Sequence, residues 1–158
     1  MGQSEEVAHQ VRANPDLVVV LLQGALGDDP LVRMRAADAL EKATRDRPEA
    51  LRRHTRTILA ALPTVEQQEV RWHWAQLVPR LQMTEAQRAA AVAVLERWLR
   101  DDSRLVRVHA LQALADLATL DPSLRDSVAS HVRHATRSGP PSLRARARKL
   151  AKLLKDSP

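Results

Sequence analysis

The sequence predicts an all-α fold, an α-α superhelix of about nine helices arranged in roughly four and a half two-helix repeats. Three observations lead to this prediction: a block of similar residues recurs along the chain, the apolar residues follow a helical period, and the composition is poorly suited to β-hairpins. The 158 residues include only four Gly, and their aromatic residues are three Trp with no Phe or Tyr. We therefore expect a core built mainly from Leu, Ala and Val, which favours close packing of helices.

The recurring block is defined by the aliphatic residue that opens it. This residue is Val32, Val70, Val106 and Leu143, at steps of 38, 36 and 37 residues. An Arg follows it each time, and a basic residue stands two positions further on. Four matches at near-constant spacing indicate an internal repeat, which is typical of stacked helical units.

Local signals place the helix starts within each repeat. Pro15, Pro48 and Pro122 each open an apolar-periodic segment, and Pro is favourable in a first helical turn because its missing N–H would have no partner there. Thr84 and Gln87 have the spacing of a capping box, which predicts a helix that begins one residue after Thr84.

Further signals mark other helix ends. Asp29 and Asp121 each precede a Pro and are predicted N-caps, whereas Gly27 and Gly139 suit helix stops. The predicted helices lie near residues 4–13, 16–26, 30–45, 48–62, 65–78, 85–100, 103–119, 123–137 and 142–155.

The helix predicted near 103–119 is apolar on two faces. One line consists of Val106, Ala110, Ala113, Leu114 and Leu117, and the other of Val108, Leu111, Ala115 and Ala118. A helix with two apolar faces packs on two sides, as a stacked repeat requires. We therefore predict a single repeat domain over 1–158, with units near 1–27, 28–62, 63–100 and 101–138 and a basic half-repeat cap at 139–158.

The period, the two-helix unit, the Val-Arg-x-x-Ala-x-x-Ala-Leu line and the Pro-opened second helix resemble HEAT repeats over residues 28–155, and more weakly over 4–27. Tetratricopeptide repeats use aromatic positions that this chain lacks, and armadillo units are longer and have three helices. The resemblance implies a scaffold for a protein partner, although a fold of this kind does not by itself define a function.

In HEAT-like proteins an acidic residue before the first helix and the Arg after its Val often form a ladder of ion pairs. The resemblance assigns this ladder to Asp28, Glu66 and Asp102 with Arg33, Arg71, Arg107 and Arg144. We expect these charges to stabilise stacked helix ends. A row of arginines that binds phosphate or carboxylate is the alternative.

Second helices of HEAT units usually line a concave surface, which implies a partner-binding role for their arginines. The corresponding residues are Arg52, Arg53, Arg56, Arg88, Arg97, Arg125, Arg133 and Arg137, with Glu49, Glu96 and Asp126 among them. Arg suits phosphates and carboxylates alike. An ordinary solvated face is the alternative.

The net charge of +6 is concentrated at the C-terminus, where residues 139–158 contain six basic residues and one acidic residue. Leu143, Ala147, Leu150 and Leu154 can bury one side of this helix, which leaves a stripe of Arg144, Arg148, Lys152 and Lys155. A terminal repeat needs a polar outer face, so we expect a solvated cap. Contact with nucleic acid or with an acidic protein surface is the alternative.

The three tryptophans have two interpretations. Trp72 occupies an apolar repeat position, whereas Trp74 and Trp98 occupy positions filled elsewhere by Ala, so we expect local repacking, with an exposed aromatic hot spot as the alternative. Alkylpurine DNA glycosylases are also built of HEAT-like repeats, with Trp and Asp around a DNA groove. Here Gln76 and Val78, and no carboxylate, follow Trp72 and Trp74 one turn later.

No residue pattern predicts catalysis, a cofactor or a metal. His131 and His134 stand one turn apart, as metal ligands often do, but no third ligand is evident and we expect surface histidines. His73 and His109 share the repeat position of Arg35 and Arg146, which predicts a basic surface site. The chain has no Cys and no phosphate-loop or nucleophile motif.

The leading hypothesis is a non-catalytic scaffold that binds a protein through the second helices. The alternative is a nucleic-acid-binding module that uses the same arginines and the C-terminal stripe, and a third is a HEAT-like glycosylase or lyase. The acidic N-terminus does not resemble a secretory signal, and the longest apolar run, Leu17–Leu22, is too short to span a membrane. We expect a soluble cytoplasmic protein of undetermined oligomeric state.

Overall fold

The structure is a computed structural model that describes the backbone of residues 3–156 and the side chains of residues 5–154. This part of the chain is helical and contains no β-strand, which confirms the all-α prediction. The helices pack into two compact units, residues 1–91 and 92–158. The single repeat domain stays a prediction.

The first unit contains five helices and the first half of a sixth. These are α1 (Gln3–Ala13), α2 (Val18–Leu26), α3 (Pro30–Thr44), α4 (Thr55–Ala61), α5 (Gln68–Leu77) and α6 (Glu85–Trp98), which continues into the second unit. Short 3-10 segments extend three of these helices: Pro15–Leu17 precedes α2, Pro48–His54 and Leu62–Thr64 flank α4, and Val78–Arg80 follows α5. The helix predicted near 48–62 is therefore 3-10 in its first half, a form common where helices begin and end.

α3 is the central helix of the first unit and packs against α1, α2 and α5. Its buried residues lie on two faces: Ala36, Ala37, Ala39, Leu40, Glu41, Ala43 and Thr44. Gly24 lets α2 come close, since a Cβ built on Gly24 would lie 3.0 Å from the Ala36 Cβ. Small residues thus bring these two helices together, as expected of a core poor in large side chains.

The second unit contains the end of α6 together with α7 (Arg104–Leu120), α8 (Arg125–Ser138) and α9 (Pro141–Asp156). Within it α7 packs against α8 and α9, and α8 packs against α9. Every residue of the two apolar lines predicted for α7 is buried, at 9% exposure or less. The prediction of a helix packed on two sides is therefore confirmed.

The predicted helix boundaries have the expected local causes. The Thr84 N–H donates to the Gln87 Oε1 at 2.9 Å and the Gln87 N–H donates to the Thr84 Oγ1 at 3.3 Å, which completes the capping box. Asp29 accepts hydrogen bonds from the first turn of α3. Gly139 ends α8 in an extended conformation, and a Cβ there would lie 2.6 Å from the Ala135 carbonyl oxygen. Glycine is needed at Gly139 for this close approach.

One repeat position differs between units. Val70 and Val106 are buried, whereas the equivalent Val32 is 49% exposed. The neighbour of Val32 in α2 is Gly24, whose Cβ position lies 3.6 Å from the Val32 Cγ1.

The tryptophans follow the packing interpretation. Trp74 and Trp98 are 0% and 4% exposed, so neither forms an exposed hot spot. Trp72 is half-buried and its ring centroid lies 4.8 Å from that of His73. None of the described helices combines the length and apolar character that crossing a membrane requires.

Candidate binding surfaces

The first arginine of the predicted ladder caps a helix end. Arg33 Nη1 donates to the main-chain oxygens of Gly27 and Asp28, at 3.0 and 2.7 Å. Its Nε donates to the Gln67 Oε1 at 2.9 Å, and Gln67 in turn donates to the Pro30 oxygen. Arg33 therefore contacts Asp28 through the main chain, because the loop before α3 turns its carbonyl groups towards the guanidinium.

The equivalent arginines have different surroundings. Arg71 Nε donates to the Val65 oxygen at 2.7 Å, the same kind of contact to the loop before its own helix. The Nε atoms of Arg107 and Arg144 are buried and have no hydrogen-bond partner among the described residues. Of these arginines, Arg33 donates from Nε to a glutamine of the next repeat. The ion-pair ladder with Glu66 and Asp102 stays a prediction.

The predicted partner-binding arginines of the first unit lie on the surface. Arg52, Arg53 and Arg56 are exposed, and they form no ion pair with any residue whose side chain is described. Arg52 and Arg53 line an open cleft of about 710 Å³ that also contains Asp16 and Glu49. The 3-10 segment Pro48–His54 thus presents cations with acidic groups beside them.

The remaining arginines of this set divide by exposure. Arg97, Arg133 and Arg137 are exposed, whereas Arg88 and Arg125 are half-buried. Burial of Arg125 includes its Nε, which has no hydrogen-bond partner among the described residues. Half-buried arginines contribute packing through their methylene groups as well as charge.

The C-terminal helix has the predicted division into two sides. Leu143, Ala147 and Leu150 are buried and Leu154 is half-buried. On the other side Arg148 and Lys152 are exposed and Arg144 is half-buried, while the side chain of Lys155 lies outside the described residues. Arg146 donates from Nη1 to the Gln112 Oε1 of α7 at 2.8 Å, which ties α9 to its neighbour.

One histidine of the α8 pair, His131, contacts a carboxylate from another helix. His131 Nε2 lies 3.0 Å from the Glu96 Oε1, and the Ser127 hydroxyl donates to the same oxygen at 3.3 Å. His134 is exposed. No group of three or more His, Asp or Glu side chains within the described residues is arranged to hold a metal ion.

The prediction that His73 belongs to a basic surface site is wrong, because the imidazole is 8% exposed. Burial lowers the pKa of His73, and the nearby carboxylates of Asp38 and Glu41 oppose this only in part. The uncharged ring is therefore favoured, and its Nδ1 has no hydrogen-bond partner in the described structure. His109, at the same repeat position, is half-buried.

An ion triad centred on the buried Glu41 lies close to His73 and was not predicted. The side chain of Glu41 is 3% exposed and forms ion pairs with Arg45 and Arg80. Burial raises the pKa of Glu41, but the hydrogen bonds from Arg45 and Arg80 outweigh it and hold the pKa below its ordinary value. The sequence does contain a signal for this triad. When the repeats are aligned, the acidic Glu41 stands at the position that the buried Ala115 occupies in α7.

The chain matches no protein-family model and no curated protein. The resemblance to HEAT repeats is therefore carried by the repeat of the chain itself. Chemically, these surfaces offer guanidinium and imidazole groups, which bind carboxylates and phosphates. Trp74 and Trp98 are buried, so neither indole is exposed for stacking on a nucleic-acid base.

Proposed function

We propose that this chain is a non-catalytic HEAT-like α-solenoid scaffold that binds a protein partner through the arginines of its second helices. The observation that carries the proposal is the group Arg52, Arg53 and Arg56, three exposed cations without an ion pair to any described side chain. Burial of α3 and α7 on two faces supports the stacked repeat.

The charges beside these arginines favour a protein partner. Asp16 and Glu49 share the cleft with Arg52 and Arg53, so the surface carries both signs. A surface of mixed sign selects a partner with complementary positions. A nucleic-acid surface, by contrast, gains most from uninterrupted positive charge, since its affinity comes largely from neutralising phosphates.

Site-specific photocrosslinking in the native organism tests the proposal. A photoreactive amino acid is placed at Thr57, which is exposed beside Arg56, and in a control chain at Arg35, which is exposed on the first helix α3. We expect one defined protein adduct from position 57 and none from position 35. The adduct should disappear in the double variant Arg52→Glu/Arg53→Glu.

Two results would contradict the proposal. Equal adducts from both positions would mean that the arginine face has no special role. An adduct with nucleic acid at position 57, together with affinity that falls steeply as salt is raised, would support the nucleic-acid alternative.

A further inference from the structure

The positive charge of the chain is concentrated in its last two helices, α8 and α9. Residues 125–154 contain eight Lys and Arg and one acidic residue, Asp126, which gives a net charge of +7. The whole chain has a net charge of +6, so the remaining residues together are slightly acidic. Like charges held close together attract anions from solution, and an anionic partner is therefore favoured at these helices.

α9 contributes an exposed row of cations, which we call the cationic ridge and define as Arg148, Lys149 and Lys152. All three side chains are exposed, and they form no ion pair with any residue whose side chain is described. No acidic residue stands in α9 before its last position. The cleft of the first unit differs, since acidic groups stand beside its arginines.

The packing of α9 determines where the ridge points. The side of the helix that contains Ala147 and Leu150 is buried against α7 and α8. Because an α-helix turns by about 100° per residue, Lys152 lies opposite this buried side. By the same geometry Arg148 and Lys149 lie on either side of Lys152. The ridge is thus held in place before any partner binds, which lowers the entropic cost of binding.

We propose that the cationic ridge binds double-stranded DNA through its phosphates, with α9 along the major groove and Arg148 and Lys149 directed to the two strands. The major groove of B-DNA is about 12 Å wide and admits an α-helix, whereas the major groove of A-form RNA is too narrow. Phosphate contacts position a protein without reading the sequence, so we expect little sequence preference. The inference goes beyond the proposed function, because it gives the second unit a partner of its own.

Other anionic partners fit the ridge less well. An amphipathic helix binds a membrane by burying its apolar face among the lipid headgroups, but Leu143 and Leu150 of α9 are already buried in the protein. Proteins that bind single strands stack bases on aromatic side chains, and residues 125–154 contain no Trp, Phe or Tyr. The ridge extends over about 6 Å along the helix axis. Duplex DNA matches this density, since it carries one charge per about 1.7 Å.

Fluorescence anisotropy of a labelled, mixed-sequence DNA duplex tests the proposal on the full chain. A duplex of about 20 base pairs is longer than α9 and accommodates the whole ridge. The variant Arg148→Gln/Lys149→Gln/Lys152→Gln should weaken the affinity about a hundredfold or more at about 50 mM salt, because three phosphate contacts are lost. The slope of log affinity against log salt concentration should become shallower by about 2.7, or about 0.9 for each contact.

The matched control is Arg52→Gln/Arg53→Gln/Arg56→Gln, which removes the same charge from exposed residues of the first unit. We expect it to weaken DNA binding less than about threefold, since only the general attraction of the net charge is reduced. Circular dichroism checks that both variants are folded.

Two single variants keep the test decisive if the triple substitution in α9 unfolds the chain. Arg148→Lys retains the charge and should bind within about threefold of the unmodified chain, because a lysine binds phosphate as a point charge. Lys152→Gln removes one contact and should make the salt slope shallower by about 0.9.

Several results would overturn the proposal. Equal losses in the two triple variants would mean that the net charge, and not the ridge, attracts DNA. A salt slope that Lys152→Gln leaves unchanged would exclude a phosphate contact at that position. Binding that is as tight to an RNA duplex of the same sequence, to polyglutamate, or to phosphatidylcholine vesicles containing phosphatidylserine would reject DNA as the partner. None of these results affects the crosslinking experiment, because the substitutions in α9 leave the arginines of the first unit intact.

Discussion

At the scale of single residues, the contacts that matter most join positions far apart in the sequence. Glu41 and Arg80 are 39 residues apart, and Arg33 and Gln67 are 34 apart. The sequence predicted that Arg33 stabilises a helix end, but it could not show which oxygen accepts, because that depends on how the loop turns. Glu41 was identifiable in principle, as an acidic residue on an otherwise apolar line of the repeat.

Glu41→Ala should lower the free energy of unfolding by about 1.5–3 kcal/mol, because it removes the buried carboxylate that accepts charge-assisted hydrogen bonds from Arg45 and Arg80. Urea unfolding measures the change. Glu6→Ala, on the exposed side of α1, is the control and should change the free energy by no more than about 0.5 kcal/mol. Equal effects of the two substitutions would show that the ion triad centred on Glu41 contributes nothing specific to stability.

The buried His73 predicts a loss of stability in mild acid. Burial lowers the pKa of the folded state below the ordinary value of 6.5, so the unfolded chain takes up this proton at a higher pH than the folded chain does. The contribution of the neutral His73 to the free energy of unfolding is therefore complete above about pH 6.5, and it declines as the pH falls below that value. The pKa of Glu41 is lowered too, but its contribution is lost only below the ordinary value of 4.5.

Urea unfolding at pH 7.5 and pH 5.5 checks the histidine effect. The decline should be smaller in His73→Leu than in the unmodified chain, and His9→Gln, which alters an exposed histidine, should retain it. A decline of the same size in His73→Leu would show that another group titrates.

At the scale of helices, local signals predicted where most elements begin and end. Capping hydrogen bonds join residues two or three apart, so they can be inferred from short stretches of sequence. The division of 48–62 into a 3-10 segment and α4 was not predicted. The difference between the two kinds of helix is small in free energy and is decided by packing against neighbouring helices.

Thr84→Ala should destabilise the chain by about 1 kcal/mol, because it removes the hydroxyl that accepts from the Gln87 N–H at the start of α6. Thermal and urea unfolding measure this change. Thr57→Ala alters an exposed threonine inside α4 and should change the free energy by less than about 0.5 kcal/mol. If Thr84→Ala is also neutral, the capping box does not fix this helix start in solution.

At the scale of the whole molecule, the apolar pattern of the sequence predicted that α7 is packed on two sides, and the repeat places α3 at the equivalent position. α3 and α7 stand 74 residues apart in the repeat register, as Val32 and Val106 show, and both are buried on two faces. The function was less accessible to sequence reasoning. Surface arginines are similar in type wherever they lie, and only the structure separates the exposed Arg148 from Arg146, which donates to Gln112.

Native-state hydrogen exchange tests the central claim, that α7, the first helix of its repeat, is packed on two sides. In the second unit α7 buries nine residues and α8 buries three, Val128, Val132 and Ala135. Amides in the middle of α7 should therefore exchange far more slowly than those in the middle of α8, since opening α7 breaks two sets of packing contacts. Equal protection of the two helices, or slower exchange in α8, would contradict the repeat architecture on which the proposed function depends.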